Sequence, residues 1–143
     1  MRGRVTNMKS FYYRKDLGVT KHGEYIIAEN MKGKPFGTAA KRNEVTGEIE
    51  IAANSAEFEG IADKIIINVQ GNDDLTFKAK ERARIGVGMD YEFVAKNAVT
   101  ITGNKGDEVA VQNGNFVATT DGNAAVGRIV EVFPNGEKVV RIY

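Results

Sequence analysis

Cysteine and tryptophan are absent from this chain, and histidine occurs once, at His22. Without cysteine there is no disulfide, no thiol nucleophile and no thiolate metal site. With one imidazole, a zinc site would fall almost wholly to carboxylates, and a triad would have to be built around His22. Flanked by Lys21 and Gly23, His22 reads as a loop residue without chemistry. Lack of tryptophan removes the commonest stacking platform of a sugar cleft. Serine stands only at Ser10 and Ser55, neither in a nucleophile-elbow context. Gly86-Val-Gly88 lacks the third glycine and the following helix of a dinucleotide fingerprint. Nothing approaches the ~20 apolar residues that span a bilayer. The start, Met1 to Lys9, has no apolar core of a signal peptide. Charge of one sign is also missing: 20 basic and 19 acidic residues leave a net +1, so no bulk field draws the chain to nucleic acid or membrane. These absences lead us to expect a protein made in the cytoplasm, with no catalytic residues, no metal, no cofactor and no small-molecule substrate.

What is present is glycine, 16 residues of it against 2 prolines, and widely spread β-branched residues. That mix predicts many short strands joined by turns. At 143 residues the chain can form one domain that buries about 70% of the surface its unfolded form exposes. The fold class expected is all-β with at most one short helix: a small antiparallel barrel or sandwich with an extended N-terminal arm. Residues 1–22 would be the arm and first strand, residues 23–143 a single β domain, with a possible sub-boundary near 47–60.

Period-2 patterning places the strands. Tyr25 to Ala28 reads as a short strand, and Met31 to Gly37, with Pro35, as a loop. Thr46-Gly47 turns into Glu48 to Ile51. Asn54 with Glu57 three residues on resembles a helix N-terminal pair, predicting the one helix over about Ser55 to Ala62, with Gly60 interrupting it. Ile65 to Val69, the turn Gly71 to Asp74, and Leu75 to Lys80 follow as strand, turn and returning strand. Tyr91 to Ala95 and Ala98 to Thr102 are two more strands, with Gly103 to Asp107 as the next turn. Asp63, Asp73, Asp74, Asp90, Asp107 and Asp121 lie in or beside turns, where local hydrogen bonding explains them.

Two Asn-Gly dipeptides predict two-residue hairpin loops, because such loops need positive φ twice. Asn113-Gly114 would pair Gln112 with Asn115, Val111 with Phe116 and Val109 with Ala118. Asn135-Gly136 would set Val132 against Val139 and Ile129 against Ile142. The last strand runs to Tyr143, so the C-terminus is expected to be structural.

Two regions could carry partner binding. Arg2, Arg4, Lys9, Arg14 and Lys15 stand without any acid among Phe11, Tyr12 and Tyr13. They form either a solvated terminus leading into a strand or a basic, aromatic arm that orders on a partner. Lys78, Lys80, Arg82 and Arg84 alternate, with Ala79, Ala83 and Ile85 between them. On a strand they would make a basic stripe: a solvated or edge-protecting strand, a nucleic-acid groove, or a face for an acidic protein partner.

The final forty residues have a pattern of their own: Gly106-Asp-Glu-Val-Ala-Val, Asn113-Gly-Asn-Phe-Val-Ala-Thr-Thr, Val126-Gly-Arg-Ile-Val-Glu-Val and Gly136-Glu-Lys-Val-Val-Arg-Ile-Tyr143. This resembles the C-terminal β-barrel of tailed-phage capsid decoration (head cement) proteins. The resemblance covers a quarter to a third of the chain and leaves Pro35 to Gly60 unmatched. It implies a bacteriophage structural protein on the capsid surface of the virion, bound to the major capsid protein and to copies of itself. It also implies that the N-terminal arm shares in the contact. Alternatives are another virion component, such as a tail-tube or head-fibre protein, and a nucleic-acid-binding small barrel of the OB or SH3 type.

Overall fold

The computed structural model describes residues 11–15, 20–21, 25–64, 76–95 and 99–143. Within them the strands are β1 (Phe11–Lys15), β2 (Thr20–Lys21), β3 (Tyr25–Ile26), β4 (Ala39–Arg42), β5 (Ile49–Ile51) and β6 (Gly60–Lys64). They continue with β7 (Arg82–Val87), β8 (Glu92–Ala95), β9 (Glu108–Gln112), β10 (Asn115–Ala118), β11 (Gly127–Val132) and β12 (Lys138–Ile142). The fold is all-β, built of two antiparallel sheets. One runs β1-β8-β12-β11-β9-β10; the other runs β2-β7-β6-β4-β5, with β3 also on β7. Of the two architectures expected, this is the sandwich rather than a closed barrel. In the second sheet one isolated parallel bridge, Ile27 to Ile49, brings the residue after β3 against β5.

The first described strands belong to both sheets. Phe11 pairs with Ala95 and Tyr13 with Phe93, Thr20 pairs with Val87, and Tyr25 with Ala83. β1 therefore runs antiparallel to β8 as an edge of the first sheet, and β2 and β3 run antiparallel to β7 as an edge of the second. The chain passes from the second sheet to the first between Val87 and Glu92, and the stretch 47–60 links β5 to β6.

Side-chain alternation explains the packing. Phe93, Val109, Val111, Phe116, Ile129, Val140 and Ile142 point from the first sheet toward Ala39 and Ile61 of the second. Their neighbours Ala40 and Ala62 point the opposite way, joining Ile85, Met31, Phe36 and Phe77 in another cluster. The second sheet is thus covered on both faces, which is why Ala39-Ala40 and Ile61-Ala62 are apolar pairs rather than alternating ones. Fully burying each large side chain contributes roughly 1.5–3 kcal/mol.

One hairpin tip locks the sheets together. Asn113 has φ 48° and Gly114 φ 84°, as a two-residue loop requires. The predicted pairs Gln112–Asn115, Val111–Phe116 and Val109–Ala118 all form. The same tip reaches the second sheet: Gly114 N–H donates to Ala52 O at 2.9 Å, and Ala39 N–H donates to Gly114 O at 2.9 Å.

Several expectations need correction. The helix is one turn, Ser55–Glu57, capped by Asn54 Oδ1, which accepts from Glu57 N–H. It stops because Gly60 begins β6 against Gly86, where a Cβ would fall 2.1 Å from a carbonyl oxygen. Leu75 to Lys80 is no returning strand in its described part: Thr76 makes a lone bridge with Pro35, and Lys78 to Glu81 is a turn with Lys80 at φ 59°. Ala98 to Thr102 shrinks to a bridge of Ile101 with Phe116 in its described part. Asp63 sits within β6, paired to Arg84, not in a turn. Around Asn135-Gly136 the register differs by one near the tip, where Val132 meets Lys138, and by two beyond the irregularity between Ile129 and Glu131, where Ile129 meets Val140. Ile65 to Val69 and the turn Gly71 to Asp74 lie outside the described residues.

Candidate functional site

A strand presents alternate residues to alternate faces, so residues paired across a ladder share a face. On the first sheet the face away from the core carries a row of charges. Arg141 pairs with Glu92, Arg141 with Arg128, and Arg128 with Glu108. Arg14 of β1 joins at one end. The row Arg14, Glu92, Arg141, Arg128, Glu108 crosses β1, β8, β12, β11 and β9, roughly 20 Å at the usual strand spacing.

Glu92 is its most constrained member, only 3% exposed. Arg14 Nε donates to its Oε1 at 3.0 Å, while Arg141 Nε and Nη2 donate to its Oε2 at 3.0 and 2.7 Å. Burial opposes ionisation of this carboxyl. The hydrogen bonds from Arg141 and Arg14 outweigh it and hold the pKa below the ordinary carboxylate range. Arg14 also bonds Glu131 through Nη1. That contact, together with Glu92, raises the already high pKa of its guanidinium against the opposing effect of burial. Farther along, Arg128 Nη1 donates to Gly106 O at 2.8 Å and Nη2 to Glu108 Oε2 at 3.5 Å. Tyr143 Oη donates to the same Glu108 oxygen at 2.6 Å. Arg128 and Arg141 remain 47% and 43% exposed.

The residues singled out from the sequence are dispersed. Arg2, Arg4, Lys9 and His22 lie outside the described residues. Phe11, Tyr12 and Tyr13 form the backbone of β1, so this half of the expected arm is a sheet strand; Arg14 enters the charged row. The basic stripe is broken. Arg82 and Arg84 do alternate with buried Ala83 and Ile85 on β7, but Lys78 and Lys80 sit in the preceding turn, where Ala79 is exposed too. The cause is local: Glu81 N–H donates to Lys78 O, and Glu81 Oε1 accepts from Lys78 N–H at 2.8 Å, closing a turn where a strand would have to run.

Glu92, Arg128, Arg141 and Glu108 were not among the sequence candidates. Their sole signal was a charge at alternate positions of otherwise apolar strands, and their partners are remote in the chain.

The remaining chemistry is structural. Tyr91 Oη donates to Gly86 O at 3.1 Å, and burial pushes its hydroxyl well above the usual range. A polar groove of about 290 Å³ is lined by Lys41, Asn43, Glu50, Glu57 and Glu59. Lys41 Nζ lies 3.5 Å from Glu50 and 3.6 Å from Glu57. No three metal-ligating side chains come together among the described residues, and no helix there is long and apolar enough to cross a membrane. Comparison with known proteins found no matching family, no matching curated protein and no matching solved structure.

Proposed function

We propose that this chain is a structural virion protein that decorates a tailed-phage head, binding the outer surface of the shell through the major capsid protein. One observation supports the reading most. The four segments that resemble decoration proteins fall on β9, β10, β11 and β12, which are neighbours in one sheet, so the resemblance follows a single folding unit rather than scattered fragments. A cement protein works by adding many modest contacts on a repeating lattice, and a rigid two-sheet body suits that role. Arg2, Arg4 and Lys9 offer basic groups for an acidic docking surface.

The test is occupancy of purified, undecorated heads, measured by co-sedimentation at fixed salt. Saturable binding supports the proposal. Reversing Arg2, Arg4 and Lys9 to Glu should reduce occupancy more than changing them to Ala, because like charges would then meet. Absence of co-sedimentation, with steeply salt-dependent binding to single-stranded or duplex nucleic acid instead, would replace this reading with that of a nucleic-acid-binding protein.

A further inference from the structure

The row on the first sheet contains one pairing that folding alone does not favour. Arg128 and Arg141 are direct cross-strand neighbours. Like charges in that relation destabilise a sheet, and a local rule that is broken and then offset by other partners marks a candidate functional position. Each guanidinium is drawn away from the other, Arg141 toward Glu92 and Arg128 toward Glu108 and Gly106 O. Both are thereby held in place while staying nearly half exposed. Arg141 keeps Nη1 without a hydrogen-bond partner among the described residues, and Arg128 also lies beside the Tyr143 hydroxyl. The ordering cost of two long side chains is therefore met before any ligand arrives.

We propose that the Arg128–Arg141 pair is a docking notch for carboxylates of an acidic protein segment. The order of charges decides the partner's chemistry. Along the accessible part of the row Arg141, Arg128 and Glu108 read plus, plus, minus, while Glu92 is buried with both oxygens already accepting from Arg14 and Arg141. A polyphosphate strand laid across it would meet the Glu108 carboxylate as well as two guanidiniums. A protein segment with two adjacent acids followed by a base matches all three positions. Arginine is suited to such a site because its planar donors take a carboxylate bidentately. The inference does not depend on the capsid reading.

The test uses the full chain and two probes, an acetylated Lys-Glu-Glu-Lys peptide and an oligo-dT of similar length. Binding is followed by NMR of the Arg Nε–H and backbone amides at low salt. The peptide should shift the resonances of Arg128 and Arg141 saturably, and more tightly than oligo-dT does. Arg128→Gln should weaken peptide binding about threefold, the size of one exposed charge contact. It should leave the melting temperature unchanged or higher, since the like-charge pair is relieved. Should that variant fail to fold, Glu108→Gln keeps both arginines and should narrow the preference for the peptide over oligo-dT. No saturable shift at either arginine would overturn the proposal, as would equal peptide binding by Arg128→Gln or tighter binding of oligo-dT. A dimer that Arg128→Gln dissolves would also overturn it, reassigning the notch to a contact between copies.

Discussion

Two hairpins in this chain carry the same dipeptide at the tip and fold differently. At Asn113-Gly114 both residues take positive φ and the loop is two residues long. At Asn135-Gly136 only Gly136 does, at 91°. Gly136 N–H donates to Phe133 O, and Phe133 N–H to Glu137 O, so Pro134, Asn135 and Gly136 form a three-residue loop. Proline pre-sets φ for the first position of a type I turn, and glycine then takes the left-handed position, the usual three-residue solution. The first tip has no such proline and is held from outside by Ala39 of β4 and by Ala52 and Ala53, which follow β5. A dipeptide thus names a turn, while its neighbours choose the loop length, and loop length sets register. An extra displacement between Ile129 and Glu131 completes the difference along β11.

The largest effect should come from the end of the second hairpin. Ile142 is 4% exposed in the main core, donates its N–H to Tyr91 O and accepts from Asp90 N–H. Deleting Ile142 and Tyr143 should cost about 4 kcal/mol, from the lost burial and the space left behind. Chemical denaturation of the truncated chain checks this; an unchanged midpoint would make β12 dispensable.

Next comes the contrast between the tips themselves. Gly114 is at φ 84°, and a Cβ there would lie 2.7 Å from Thr38 Cγ2. Gly114→Ala combines backbone strain with overpacking and should cost about 3 kcal/mol. Gly136 has open space around it, so Gly136→Ala should cost only about 1 kcal/mol, from φ alone. Equal losses would mean that the seam between sheets contributes nothing at Gly114.

The second hairpin also depends on charge. Arg141 ties β12 to Glu92, whose folded pKa lies below its ordinary value of 4.5. A depressed carboxyl stabilises the fold fully above the unfolded pKa and loses that contribution as pH falls through the folded one. Stability should therefore drop below about pH 4.5, and this part of the drop should vanish in Glu92→Gln, which is less stable at neutral pH by about 2 kcal/mol. Melting curves of both proteins across the acid range decide it; parallel curves would remove Glu92 as the source.

These differences also mark what could be read from residues alone. The all-β class and the first hairpin's register were legible because alternation and positive-φ turns are local. The second register was not, since Pro134 and the bulge beyond Ile129 act together. Lys78 to Lys80 alternates like a strand, yet Glu81 folds it into a turn through its own side chain. The charged row was least legible. Arg14 and Arg141 reach Glu92 from 78 and 49 residues away, and no local pattern carries such a pairing.

The smallest effect, and the sharpest on the comparison, should appear at the two asparagines. Asn113 tolerates φ 48° because its short polar side chain suits the left-handed region, which alanine enters at a cost of about 1 kcal/mol. Glycine enters it freely, so Asn113→Gly should leave stability nearly unchanged while Asn113→Ala lowers it. At Asn135 the order reverses. Its φ is not positive, and its Oδ1 accepts from Glu137 N–H at 3.0 Å. Asn135→Ala should lose about 0.5 kcal/mol with that exposed hydrogen bond. Asn135→Gly should lose more, because the unfolded chain also gains freedom. Denaturation midpoints for the four variants give the ranking directly. Glycine better than alanine at Asn113 and worse at Asn135 is the expected pattern. The same order at both positions would show that the two tips share one loop conformation in solution.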